Sequence, residues 1–218
     1  MKKIVVAVDG PAGSGKSTIC KLISKKLNLD YIDTGAMYRA LTLKLIESNI
    51  DVNNISKILE VLKDTKIELS DGKVYLDCVD VSEKIRTPLV TDNVSKIAKI
   101  AEVRDELVAL QRNMANEKNV IMDGRDIGVR VLKNATLKVF LTASVLERAE
   151  RRYKEFLSKG IDCNLEDVIK DIEERDEIDS TRKVTPLKKT EDAVLVDTTG
   201  KGIEEVVDEI ISLIDGSR

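Results

Sequence analysis

Histidine and tryptophan are absent from this chain of 218 residues, and it holds only three prolines, three cysteines, four tyrosines and two phenylalanines. Without histidine there is no Ser-His triad, no imidazole metal site and no imidazole general base. With so few aromatics, there is little material for a stacking platform along a single-stranded nucleic acid. Cys20, Cys78 and Cys163 are odd in number, widely spaced and free of any C-x-x-C pair, which indicates neither a disulfide framework nor a zinc site. No apolar run is long enough to span a membrane, and the first one is cut short by Asp9, so a soluble, cytoplasmic protein is expected. Nor is there an excess of positive charge: the net charge is -3 with 34% charged residues, which argues against a general nucleic-acid binder.

What the chain does have begins at residue 4. Ile4 to Val8 form a short β-branched run that reads as a buried strand. It breaks into Gly10-Pro11-Ala12-Gly13-Ser14-Gly15-Lys16-Ser17, a full match to G-x-x-x-x-G-K-[ST]. Glycines let backbone N–H groups curl round an anion, and Ile19, Leu22, Ile23 and Leu27 then recur at helical spacing. The loop therefore opens a helix whose positive end faces the same phosphates. Lys16 supplies a point charge to the outer phosphates, and Ser17 or Thr18 offers a hydroxyl to Mg²⁺. An ordinary Gly-rich turn is the alternative.

Further apolar runs at Tyr31-Ile32, Val120–Met122, Leu137–Leu141 and Val194–Val196 alternate with helical patterns, so an α/β fold with a parallel sheet is expected. The stretch 66–81, "KIELSDGKVYLDCVDV", instead alternates about Asp71-Gly72 and predicts an antiparallel hairpin in a small lobe near 60–90. Ile203, Val206, Val207, Ile210, Ile211 and Ile214 form the apolar stripe of a last helix. No internal repeat or low-complexity segment is present.

Three further stretches suit an anionic ligand. In "DTGAMYRA" (33–40), Thr34 can cap a helix starting near Ala36, with Tyr38 and Arg39 in its first turns. A cation there opposes the helix dipole, so an anionic ligand would give Arg39 its reason, a solvated arginine being the alternative. In "VIMDGRDIGVR" (120–130), a strand ends at Asp123, well placed to act on a Mg²⁺ shell, followed by Arg125 and Asp126. The alternative there is an exposed turn with a casual ion pair. Arg148, Arg151 and Arg152 share one helical face, and Arg175, Asp179 and Arg182 another; both could be merely solvated. Together these supply a surplus of guanidinium forks suited to a second phosphate.

The motifs "DGPAGSGKST", "DTGAMYR", "SEKIRTP", Val103-Arg104, "DGRDIG", "RAERR" and "ERDEIDSTR" occur in the order and approximate spacing of the bacterial cytidylate kinases, which the chain resembles over essentially its whole length. The phosphate loop is shared widely, whereas "DTGAMYR", "DGRDIG" and the late arginine segment are specific to that family. The resemblance implies transfer of the ATP γ-phosphoryl group to CMP or dCMP. It also implies a single kinase domain: a P-loop NTPase-type parallel-sheet core with helices on both faces (about 1–35, 91–147 and 190–218), a monophosphate-binding lobe with the β insertion (about 36–90), and a short lid with its adjoining helix (about 148–189). By position, Tyr38, Arg39 and Arg125 resemble holders of the acceptor phosphate, with Thr34 beside them and Arg182 reaching the same site. Ser95, Arg104 and Asp126 resemble cytosine readers, and Arg175 and Asp179 the pair that meets the pentose. Arg151 and Arg152 belong to the segment that closes over ATP, and Arg148 to a position along the adenine. Lys16, Arg125, Arg151, Arg152 and Arg182 are the implied catalytic set. Gly10 to Thr18 bind ATP, and Ser17, with Asp123 through water, holds the metal. The loop ends Lys-Ser-Thr where some relatives have Lys-Gly-Thr, so the Ser17 hydroxyl is an addition. Small-molecule substrates and a monomer are expected, with neither nucleic acid nor membrane as partner. A P-loop kinase for another small acceptor, or a nucleotide-binding regulator, remains open at this point. The regulator leaves the arginines unused and predicts no acceptor-dependent ADP release.

Overall fold

The computed structural model describes residues 3–70, 72–116 and 118–217. The chain divides into two compact units, Met1–Tyr31 with Glu117–Arg218, and Ile32–Asn116.

The first unit is built on a five-stranded sheet in the order β2-β6-β1-β7-β8, with β1 Val5–Asp9, β2 Asp30–Asp33, β6 Val120–Gly124, β7 Leu137–Thr142 and β8 Val194–Asp197. β1 pairs in parallel with β6 and β7, and β7 with β8. β6 is buried along its whole length and β1 nearly so, as their unbroken apolar runs require of strands covered on both faces. On one face Val6, Val8, Ile121, Val139, Leu141 and Val196 pack with Ile19 and Ile23 of α1 (Lys16–Leu27) and with Val206, Val207, Ile210 and Ile214 of α8 (Ile203–Gly216). Ile203 departs from its expected stripe. It is the first residue of α8 and stands exposed. α6 (Val145–Ser158) and α7 (Leu165–Thr181) pack on one another through Ala149, Val168 and Ile172, with Tyr153 and Phe156 at the margin.

The second unit contains α2 (Thr34–Glu47), α3 (Ile55–Lys63), a three-stranded antiparallel sheet (β3 Ile67–Ser70, β4 Lys73–Leu76, β5 Val79–Asp80), a 3₁₀ turn at Lys84–Arg86, α4 (Pro88–Ala98) and α5 (Ala101–Ala115). The expected hairpin is present as β3 and β4, with Gly72 at φ 74 in its turn and Asp71 outside the described residues. A third strand, β5, joins it where the sequence suggested two. Leu76 pairs with Val79 across Asp77 and Cys78, whose φ values of 50 and 69 are those of a tight two-residue turn made without glycine. This unit extends to Asn116, past the boundary expected near 90. The reason is a shared core, in which Val90, Val94 and Ile97 of α4 and Val103 and Leu107 of α5 join Met37, Ala40 and Leu41 of α2. The cap of α2 is Asp33, whose carboxylate accepts from the Ala36 N–H at 2.9 Å. Thr34 is the buried first residue of the helix and not its cap. Among the described residues no helix is long and apolar enough to cross a membrane.

Candidate functional site

In the first unit the phosphate loop leaves β1 at Gly10, where a Cβ would lie 2.0 Å from the Leu141 carbonyl oxygen, so only glycine fits. Gly15, at φ 89, forms the N-cap of α1 and offers no side chain to its first N–H groups, which suits an anion lying over the helix end. Lys16 is buried, with Nζ donating to the Pro11 carbonyl at 2.6 Å and to Ser14 Oγ at 3.2 Å. Burial, reinforced by the nearby Arg125 guanidinium, holds this lysine well below the usual ammonium range. Ser17 Oγ donates to Asp123 Oδ2 at 3.1 Å, and Tyr31 OH donates to Asp123 Oδ1 at 2.8 Å. Asp123 is buried and does not stand in an exposed turn. The Ser17 hydroxyl and the Asp123 carboxylate are hard oxygen donors, and the pair fits a hard divalent cation. Among the described residues no group of three or more His, Cys, Asp or Glu could hold a metal alone. An ion here would therefore take the rest of its shell from water and ligand phosphate, as Mg²⁺ commonly does. Thr18, the other candidate hydroxyl, is exposed.

Arg148 braces the loop from α6, and Arg151 reaches it through Thr198, whose hydroxyl lies 3.5 Å from the Ser14 carbonyl oxygen. Arg148 is buried and donates from Nε to the Ala143 carbonyl and from NH1 to the Ala12 carbonyl, both at 3.0 Å, while pairing with Asp176 at 2.7 Å. Arg151 donates to Thr198 Oγ1 and to the Thr198 carbonyl at 3.0 and 2.9 Å, and its NH1 would lie 3.8 Å from a Cβ at Gly15. Arg152 lies over the Phe156 ring at 4.9 Å.

A second cluster follows β6. Arg125 donates from Nε to Asp179 Oδ2 at 2.8 Å, and Arg182 approaches both Asp179 Oδ1 and Asp126 Oδ1 at 3.8 Å. The neighbours Arg125 and Asp126 thus turn to different partners, and the casual ion pair is not formed. Burial opposes the charge on Asp179, but Arg125, Arg175 and Arg182 outweigh it and hold its carboxyl below the ordinary value. Arg175 is pushed down to about 10 by burial and by the adjacent Arg125. Among the described residues its buried Nε has no hydrogen-bond partner, and a ligand oxygen could supply one.

Sequence reasoning missed Asp9. This last residue of β1 is buried, and its two carboxylate oxygens accept from the N–H groups of Ile127 and Gly128 at 2.7 and 2.9 Å. It thereby fixes the π-type turn Ile127–Val131 that follows Asp126. Its only signal is an acid ending an apolar strand, easily taken for the strand's polar terminus. Burial raises its pKa to about 6, against the two N–H bonds and with Asp126 adding to the rise. An acid with a raised folded-state pKa favours folding fully below its unfolded value and loses that contribution as pH climbs through the folded value. From pH 4 to 6 the wild type should lose on the order of 2 kcal/mol of stability relative to Asp9→Asn, measured by urea unfolding. A stability difference that stays constant with pH means that Asp9 ionises normally.

In the second unit Arg39 is buried, not solvated, with NH1 donating to the Ile85 carbonyl at 3.1 Å and to Thr91 Oγ1 at 2.9 Å. The fold itself thus supplies a partner that the sequence did not show. Arg104, also buried, donates to the Ala98 carbonyl at 3.0 Å and lies 5.9 Å from the Tyr38 ring centroid. Ser95 is buried on α4. Arg86, within "SEKIRTP", pairs with Asp33 at 2.6 Å and so steadies the cap of α2.

The sequence model of one family, described as cytidylate kinase, matches residues 6–216. A cytidylate kinase of Fusobacterium nucleatum is 54% identical over 215 residues, which cover 99% of this chain and 99% of that protein. One of Clostridioides difficile is 53% identical over 99% of this chain and 100% of its own length. Among solved structures, a gluconokinase from Sinorhizobium meliloti 1021 superposes with a TM-score of 0.52 at 15% identity, covering 98% of this chain and 94% of that one, a likeness of fold alone.

Proposed function

The chain belongs to the cytidylate kinase family, enzymes that phosphorylate CMP and dCMP with ATP, and from that premise we propose which of its residues do each part of the work. The phosphate loop from Gly10 to Thr18 cradles the ATP phosphates, with Lys16 on the outer ones. Ser17 would hold Mg²⁺, with Asp123 acting on it through water. Bound there, the metal neutralises phosphate charge. Arg148 keeps the loop in shape and lies along the adenine side. Arg151 and Arg152 face the triphosphate as charge develops.

Each unit supplies its own set of acceptor-binding side chains. In the second, Tyr38 and Arg39 hold the CMP phosphate beside Thr34, and Ser95 and Arg104 read cytosine. In the first, Arg125 and Arg182 hold the phosphate, Arg175 and Asp179 meet the pentose, and Asp126 reads the base. A CMP phosphate oxygen attacks the γ-phosphorus of ATP, the bond to the β–γ bridging oxygen breaks, and ADP leaves. Two anions must meet, so the arginines act by offsetting their repulsion, and a strong base is not needed. The observation that supports this reading most is the Arg125–Asp179–Arg182 cluster beside the Arg175 Nε, which has no hydrogen-bond partner among the described residues. A cytoplasmic, monomeric enzyme with no nucleic-acid or membrane partner completes the reading.

Coupled ADP release tests it, with CMP, dCMP, UMP and AMP offered in turn. Cytosine presents an amino donor where uracil has a carbonyl oxygen, and ionised Asp126 can only accept. Against UMP an anion would face an acceptor with no proton between them. Asp126→Ala should therefore narrow the CMP-to-UMP ratio of kcat/KM by at least about tenfold. An unchanged ratio removes the base-reading role and leaves the kinase activity in place.

A further inference from the structure

Thr185 has the least expected backbone in the first unit. It is β-branched, yet its φ is 45, in the left-handed region that such residues avoid. Pro186 follows it and narrows its freedom further. A residue is kept in such a conformation only when its surroundings over-determine it. Three contacts do so. The Thr185 hydroxyl donates to Asp126 Oδ2 at 2.5 Å, its carbonyl accepts from Arg182 Nε at 2.8 Å, and the Leu187 N–H two residues on donates to the Asp179 carbonyl at 2.8 Å. The turn after α7 is thus folded back onto the segment that ends that helix, and Thr185 grips an acid and an arginine at once. Asp126 and Arg182 are both buried, so each depends on a fixed partner for its orientation.

We infer that Thr185 is a positioning residue for nucleotide selection: its hydroxyl sets the plane of the Asp126 carboxylate while its carbonyl sets the fork of Arg182, aligning the base reader and a phosphate holder through one strained residue. The inference rests on the reading of Asp126 as the cytosine reader. It assigns Thr185 a role in selectivity that acts through Asp126 and Arg182. The left-handed backbone is what makes the double grip geometrically available, since it turns the side chain toward the β6 loop and the carbonyl toward Arg182 together.

Thr185→Val keeps the shape and the strained backbone but deletes the hydroxyl, and Thr185→Ser restores the hydroxyl. For Thr185→Val we expect the KM for CMP to rise about tenfold and the CMP-to-UMP ratio to narrow, with the KM for ATP unchanged, since small misplacements of a binding group are costly. Thr185→Ser should stay within about twofold of wild type on all three, because it keeps the donor. In an Asp126→Ala background, Thr185→Val should have little further effect on the ratio, as expected of two residues acting through one contact. A wild-type KM and ratio in Thr185→Val overturn the inference, as does a loss in Thr185→Ser equal to that in Thr185→Val. An undiminished Thr185→Val effect in the double variant also overturns it, by showing that the hydroxyl acts elsewhere. If Asp126→Ala alone leaves the ratio unchanged, the base-reading assignment fails first, and that result is separable because it does not involve Thr185.

Discussion

Lys16→Ala should lower turnover on the order of 10²-fold or more and leave the melting temperature at or above that of the wild type, the loss being that of one preorganised electrostatic contact. Both halves of the expectation come from the same surroundings. Lys16 is buried in the phosphate loop but lies outside the apolar cluster of the sheet and α1. Burial already disfavours its charge, so removing the ammonium relieves a cost to the fold. The Pro11 carbonyl is not orphaned either, because Ser14 Oγ also donates to it, at 3.1 Å. Turnover at saturating CMP, set beside a thermal melt, separates the two effects. Wild-type turnover would remove Lys16 from the reaction, and a large drop in melting temperature would make it a structural residue.

The parallel strands were legible to within a residue or so of their ends because each is a bare apolar run between turn signals, and tertiary packing did not compete with that pattern. The third antiparallel strand was not. It is two residues long, and the turn before it is built from Asp77 and Cys78 and lacks the glycine or asparagine that announces such a turn. Asp33 and Thr34 are both good caps in isolation, and only the Ala36 N–H bond decides between them.

The site divides in the same way. The phosphate loop is contiguous in sequence, so its spacing suffices to find it. The arginine cluster is not contiguous: Arg125 meets Asp179 across 54 positions, and helical spacing alone could not tell that face from a solvated one. Asp9 and Thr185 act through contacts 118 and 59 positions away, and neither belongs to a residue type that advertises such a role. A buried polar group announces itself only once its neighbours are known.

Arg125→Ala carries the other large effect, and it should appear in two quantities that respond differently to pH. Loss of a charge-assisted bond to the acceptor phosphate is worth about 1.5–3 kcal/mol, so the KM for CMP should rise roughly 10- to 100-fold with little change in that for ATP. The second effect is on the fold. Arg125 Nε is 2.8 Å from Asp179 Oδ2, and without it a buried carboxylate is left with the weaker Arg182 contact at 3.8 Å and the charge of Arg175. A carboxyl whose folded-state pKa is depressed stabilises the protein above its unfolded value and loses that contribution as pH falls. The stability gap between wild type and Arg125→Ala should therefore be widest near neutrality and shrink below about pH 4, where the unfolded carboxyl protonates. Asp179→Asn in the same chain should recover much of the lost stability by removing the stranded charge, while the KM for CMP stays high. Recovery of CMP binding in that double variant would reduce Arg125 to a structural counter-ion. A rise confined to the KM for ATP would exchange the donor and acceptor sites.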